Sequence, residues 1–165
     1  MIEIPISWKE RFAQVVRLPF VRRLMVLGIS LTVPRPRTGV AVVALDNSKR
    51  VFLLRHVFHP LFPWGLPGGW LKRDEAPEDG ALRELLEETG LGAVIDTRLL
   101  VSQESNPDHT YIAFGVELMP GSLSLSPEII EAGWFAYDDL PSPLSPFVKR
   151  AIDAAYASSN EIEHF

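Results

Sequence analysis

Residues 83–90 read RELLEETG, which sets Glu84, Glu87 and Glu88 at offsets of zero, three and four. On an α-helix with 3.6 residues per turn, those offsets share one face. Like charges so placed oppose helix formation by about 0.2–0.5 kcal/mol per pair, so something must offset the repulsion. Three carboxylates within reach of one another make a hard-oxygen donor set suited to Mg²⁺ or Mn²⁺, which would cancel it. A solvated acidic helix face is the other reading, and the cluster by itself leaves both open.

The helix that must carry these residues is predicted over 77–89. Ala81, Leu82, Leu85 and Leu86 supply an apolar side opposite the acids, and Gly90 is a natural stop. Pro77 suits the first helical position, and Glu78 and Asp79 suit the positive end of the helix dipole. Ala76 stands where a serine or threonine cap is expected, an omission that costs about 0.5–2 kcal/mol and leaves the acidic face intact.

Spacing upstream decides between the two readings of the acidic face. From Gly69, five residues lead to Glu75 and seven more to Arg83; Arg-Glu-apolar-any-Glu-Glu-any-Gly-apolar then ends at Leu91. This stretch, GWLKRDEAPEDGALRELLEETGL, resembles the signature box of the Nudix hydrolases with every fixed position present. Nine constrained positions at fixed spacing carry far less false-positive risk than a lone glycine motif. The flanks GVAVVALDNSKRVFLLRH and EIIEAGWFAYDDLP resemble that family's flanking strands, so the resemblance covers roughly residues 38–157.

The resemblance implies an α/β Nudix fold, a mixed β-sheet sandwiched between α-helices, with the box as loop, helix and loop. It implies that Glu84, Glu87 and Glu88 coordinate Mg²⁺, with Mn²⁺ as a substitute, helped by the main-chain carbonyl of Gly69. It also implies that Glu75 pairs with Arg83 to hold the loop against the helix, and a bidentate Arg–carboxylate pair is a good geometric clamp. The implied activity is hydrolysis of the phosphoanhydride joining a nucleoside diphosphate to another group, as in ADP-ribose, a nucleotide sugar or a nucleoside triphosphate. The resemblance implies that the proton acceptor is a box glutamate or a carboxylate from a later loop, for which Glu128 and Glu131 are the candidates. A non-catalytic nucleotide-binding module of the same fold is the alternative; a binding module has no need of all the box glutamates.

The resemblance implies that substrate choice is set outside the box. Arg55, His56 and His59 precede it on a segment that could meet a phosphate or a base, and Phe58, Phe62, Trp64 and Trp70 could stack on a ring, although aromatics usually serve the core. Pro107 falls sixteen residues after Leu91, a spacing reminiscent of the ADP-ribose group, without a matching surround.

Around these residues, TGVAVVALD (38–46) reads as a buried strand, DNSK as a turn and RVFLLR as a second strand, which predicts a hairpin over 40–55. HVFHPLFPWGLPGGW is too rich in proline, glycine and aromatics to stay regular for long and reads as a loop with a job or a stiff connector. Extended segments at 93–104, 109–118 and 132–137 and a helix from about Ser145 to Ala157 complete a mixed sheet between helices.

A chain of 165 residues fits one domain, here 38–165, preceded by a basic helical extension over 1–37. Residues 1–38 carry seven basic groups against two acidic ones, and the remainder nine against nineteen, so an arm of +5 precedes a body of −10. The acidic body argues against a stable nucleic-acid complex, and the resemblance implies a nucleoside diphosphate derivative as the partner. In the arm, Trp8, Phe12, Val15 and Val16, then Phe20, Val21, Leu24, Met25 and Gly28, predict two amphipathic helices. They are expected to pack on the body or on a twin subunit in a homodimer; an interfacial membrane anchor is the second reading. LMVLGISLTV (24–33) is too short for a bilayer, which needs about 20 residues, and PRPR follows it rather than a cleavage site. Absence of cysteine excludes disulfides, thiolate metal sites and cysteine nucleophiles, and is compatible with the cytoplasm, the expected location.

Overall fold

The structure is a computed structural model that describes residues 37–105 and 108–162. The two predicted arm helices, Pro107 and the last three residues lie outside the described residues.

Strand β1 (Arg37–Ala44) is a valine-rich run buried along most of its length, as suits a strand with neighbours on both sides. It pairs in parallel with β6 (Asp108–Leu118), in register from Arg37↔His109 to Ala44↔Val116. Its other edge pairs antiparallel with β4 (Gly68–Trp70). Strand β5 (Ala93–Ser105) lies antiparallel on β6, which gives a mixed four-stranded sheet of order β4-β1-β6-β5. Strand β2 (Val51–His56) joins a second, antiparallel sheet between β3 (Trp64–Gly65) and β7 (Ile129–Phe135).

The hairpin predicted over 40–55 is therefore corrected. Its turn forms: the Asp46 carboxylate accepts the Ser48 and Arg50 backbone N–H groups. The two strands then part into separate sheets and keep a single bridge, Leu45↔Val51. Both edges of β1 are already paired, by β4 and by β6, so β2 must find its partners elsewhere.

Two helices cover opposite sides. Helix α1 (Pro77–Thr89) packs Ala81 and Leu85 against Val40, Val42, Phe52, Leu54 and Phe114. Helix α2 (Pro146–Ile162) packs Phe147, Val148, Ala151 and Ile152 against Ala41, Val43, Leu53 and Ala113. The alternation of β1 thus feeds two cores, one per helix, and the expected layering of sheet between helices is observed. Among the described residues, no helix is long and apolar enough to cross a membrane.

Helix α1 begins at Pro77 without a side-chain cap at Ala76, and ends where Gly90, at φ 72°, donates its N–H to the Leu86 carbonyl. One detail of its predicted faces changes. Leu86 is 55% exposed, whereas Glu88 is only 8% exposed, because positions 81, 85 and 88 fall on one stripe of the helix. One of the three acids is therefore carried to the margin of the core.

Candidate active site

The site starts from β4, which lies on β1 with Ala41↔Gly68, Val40↔Gly69 and Gly39↔Trp70 as partners. A Cβ on Gly68 would stand 2.2 Å from the Val40 carbonyl oxygen, and one on Gly69 would stand 2.5 Å from the carboxyl carbon of Glu84. Gly68 thus lets β4 close on the β1 backbone, and Gly69 admits the Glu84 carboxylate to the strand. Gly68 N–H then donates to Glu88 Oε2 at 2.9 Å.

Arg83 fastens this arrangement. Its Nε and Nη2 donate to Glu75 Oε1 and Oε2 at 2.6 and 2.9 Å, the bidentate clamp implied by the sequence. Nη2 also donates to the Trp70 carbonyl at 3.2 Å, and Nη1 to Glu84 Oε1 and Glu87 Oε2 at 2.8 and 3.1 Å. A single guanidinium therefore joins the loop, β4 and α1. Its hydrogen bonds, with one from Lys72 N–H, hold the Glu75 carboxyl down at about 2.

The three box glutamates share one end of α1 but face two ways. Glu84 and Glu87 turn to Arg83, and Glu88 turns to Gly68 and to His56 Nδ1, 3.6 Å away. Among the described residues, no three carboxylate or imidazole groups already converge on one point. Their chemistry nonetheless fits a hard divalent cation. Burial first, then the charges of Glu84, Glu128 and Glu87, push the Glu88 carboxyl up to about 8, against the Gly68 hydrogen bond. Negative charge accumulates there beyond what Arg83 offsets, and a cation held by Glu84, Glu87, Glu88 and the Gly69 carbonyl would relieve it.

His56 is buried beside Glu88. Burial first, then His59, whose ring lies 4.7 Å from its own, push His56 down to about 3, so it is neutral near pH 7.

The glutamates open onto a cavity of about 990 Å³. Gly69, Glu84, Glu87, Glu88, His56, Trp70 and Glu128 all line it, with His59, Phe58, Phe62 and Trp64. Glu75 and Arg83 do not line it and act from behind, through the clamp. Arg55 and Glu131 are not brought to the cavity: they are Cα partners across β2 and β7, and Arg55 Nε donates to Glu131 Oε2 at 3.1 Å. Each takes up the other's charge. The sequence reading missed Tyr111 and Phe147, which also line the cavity. Tyr111 carries only the alternation of β6 as a signal; Phe147 reads as a core residue of α2.

Known proteins share the sequence and fold of this chain. A family model described as the NUDIX domain matches residues 35–155. A protein of Bacillus subtilis (strain 168), provisionally named an 8-oxo-dGTP diphosphatase, is 31% identical over 116 residues, covering 70% of this chain and 76% of its own. The NAD-capped RNA hydrolase NudC of Salmonella heidelberg (strain SL476) is 32% identical over 120 residues; the match takes in 70% of this chain and 46% of NudC, about half its length. Among solved structures, a MutT NUDIX hydrolase from Burkholderia pseudomallei superposes with a TM-score of 0.65 at 29% identity, over 73% of this chain and 98% of that one. With the box, the layered fold and the family model in agreement, the chain belongs to the Nudix family and is a Nudix hydrolase.

Proposed function

We propose that this protein is a Mg²⁺-dependent pyrophosphohydrolase that cleaves the phosphoanhydride of a nucleoside diphosphate joined to a second group, by attack of water at phosphorus. ADP-ribose, a nucleotide sugar and a nucleoside triphosphate all meet that description. The observation that carries this reading is the meeting of Glu84, Glu87, Glu88 and Glu128 along the wall of one open cavity, with Arg83 and Glu75 fixing the helix behind it. The relatives' names, 8-oxo-dGTP diphosphatase and NAD-capped RNA hydrolase, support a nucleotide derivative as substrate.

Glu84, Glu87, Glu88 and the Gly69 carbonyl would hold Mg²⁺, which would supply positive charge for the phosphate oxygens and lower the pKa of water. The chain's own groups do the rest. Arg83 holds α1 against β4, so that the glutamates keep their places as charge develops. The proton of the water would pass to a box glutamate or to Glu128, which also lines the cavity. His56, buried and neutral, packs beside Glu88.

The test is a panel of ADP-ribose, nucleotide sugars, dinucleoside polyphosphates, nucleoside triphosphates, NAD and NAD-capped RNA, assayed with Mg²⁺ and with Mn²⁺. Turnover of at least one member is expected, with kcat lower by about 10²-fold or more in Glu87→Gln and Glu88→Gln. No turnover of any member with either metal would replace this reading with that of a nucleotide-binding module.

A further inference from the structure

Gly39, Trp70 and Tyr111 are partners in register across three adjacent strands, Gly39↔Trp70 between β1 and β4 and Gly39↔Tyr111 between β1 and β6. They therefore present their side chains to the same face of the sheet. A Cβ on Gly39 would stand 2.6 Å from a Tyr111 ring carbon and 3.5 Å from the Trp70 ring. Without it, the two rings close over β1 to a centroid separation of 5.6 Å. Neighbours fix them there: Phe147 lies 5.1 Å from Tyr111, His109 stands edge-on to Trp70 at 4.8 Å, and the Arg37 guanidinium lies 5.7 Å from the indole.

This pair belongs to the wall of the same cavity as the glutamates. By the alternation of the strands, Gly69 faces α1 and the Glu84 carboxyl, whereas Trp70 and Tyr111 face the α2 side, and the cavity is lined from both sides of the edge strand β4. A nucleotide is long enough to set its diphosphate on one side and its base on the other. The polar character of the lining is equally informative. Apart from the glutamates, the described residues lining the cavity offer only histidine, serine, tyrosine and tryptophan side chains as polar groups; no asparagine, glutamine, aspartate, lysine or arginine is among them. Those absent types are the ones that usually read the edge of a base with paired hydrogen bonds, whereas stacking accepts any base because every base has a π-face.

We infer that Trp70 and Tyr111, brought together over Gly39, form a stacking platform for the nucleobase of the substrate, and that this site grips the base by its face and discriminates weakly between bases. The inference rests on the hydrolase reading and names the part of the substrate held away from the glutamates. It separates this chain from what its relative's name suggests: oxidation of guanine leaves the ring's face intact, so 8-oxo-dGTP and dGTP are expected to be handled alike.

Steady-state kinetics with a substrate that the panel identifies, together with tryptophan fluorescence titrations of the metal-free protein with AMP and GMP, test this. Tyr111→Leu is expected to raise KM about tenfold with kcat within about twofold, and Tyr111→Phe to restore the wild-type KM. Gly39→Val, which wedges the rings apart, should resemble Tyr111→Leu. The kcat/KM values for 8-oxo-dGTP and dGTP should differ by less than about tenfold. AMP and GMP should quench wild-type fluorescence, and Trp70→Leu should lose that quenching, a readout that also serves if Tyr111→Leu does not fold. An unchanged KM in Tyr111→Leu, unchanged quenching in Trp70→Leu, or base discrimination of tenfold or more would overturn the platform. If the wild type hydrolyses nothing on the panel yet AMP and GMP quench through Trp70, the hydrolase reading fails and the platform stands. If it hydrolyses nucleotides while Tyr111→Leu keeps its KM, the platform fails and the hydrolase reading stands.

Discussion

Glu88 is the residue whose surroundings act most strongly on its chemistry. Its carboxyl is pushed from an ordinary 4.5 to about 8, by burial first and by Glu84, Glu128 and Glu87 after it. A group whose folded-state pKa is raised contributes stability that is fully present below about pH 4.5 and is lost as pH rises through about 8. In the absence of divalent cation, the melting temperature is therefore expected to fall between about pH 5 and pH 9, and to fall less in Glu88→Gln. Mg²⁺ should flatten the wild-type slope, because the cation accepts the charge that burial penalises, and its binding below about pH 8 should release a proton. Calorimetry in two buffers of different ionisation enthalpy measures that proton; its absence would remove Glu88 from the cation site. Arg83 makes a second residue-scale prediction. A lysine cannot hold both Glu75 oxygens, the Trp70 carbonyl and two glutamates from one planar group, so Arg83→Lys is expected to weaken Mg²⁺ binding about 10- to 100-fold. Unchanged affinity would reduce the clamp to a surface ion pair.

At the scale of elements, the site depends on how closely α1 and β4 approach β1, and the two glycines of β4 separate packing from chemistry. Gly68→Ala sets a Cβ against backbone, 2.2 Å from the Val40 carbonyl oxygen, so β4 must lift from β1 and the melting temperature should drop. Gly69→Ala meets only the movable Glu84 carboxylate at 2.5 Å, so the fold should survive while Mg²⁺ affinity falls. Equal losses of stability in the two variants would contradict this division. The N-terminus of α1 offers a gain: Ala76→Ser adds the missing cap and should stabilise by about 1 kcal/mol, with kcat unchanged. The helix, its stop at Gly90 and the Glu75–Arg83 clamp were legible because all lie within twenty-three consecutive residues with one period and one motif. The burial of Glu88 was obscured because the leucines at 82 and 86 imitate an apolar face that the stripe 81, 85, 88 in fact supplies. Strand partners were not legible. A turn at Asp46 signals a hairpin locally, whereas β1 takes β6 from some seventy residues downstream, and the same non-local pairing hides the meeting of Gly39, Trp70 and Tyr111.

For the whole molecule, the distribution of charge governs how an anionic substrate arrives. The chain is −5 overall, its first 38 residues are +5, and the rest, which carries the cavity and its glutamates, is −10. A Mg²⁺–nucleoside triphosphate complex still carries net negative charge, so the body repels it over the range at which salt screens poorly. Raising ionic strength from about 10 to 150 mM shortens the Debye length from about 30 to about 8 Å and should weaken that repulsion. At fixed free Mg²⁺, kcat/KM is therefore expected to rise about two- to threefold over this range, with kcat unchanged because approach no longer matters at saturation. The usual steering of an anion by a basic surface gives the opposite sign. A decline with salt that removal of residues 1–34 converts into a rise would place the approach surface on the basic arm, and a decline that survives this removal would refute the repulsive field of the body.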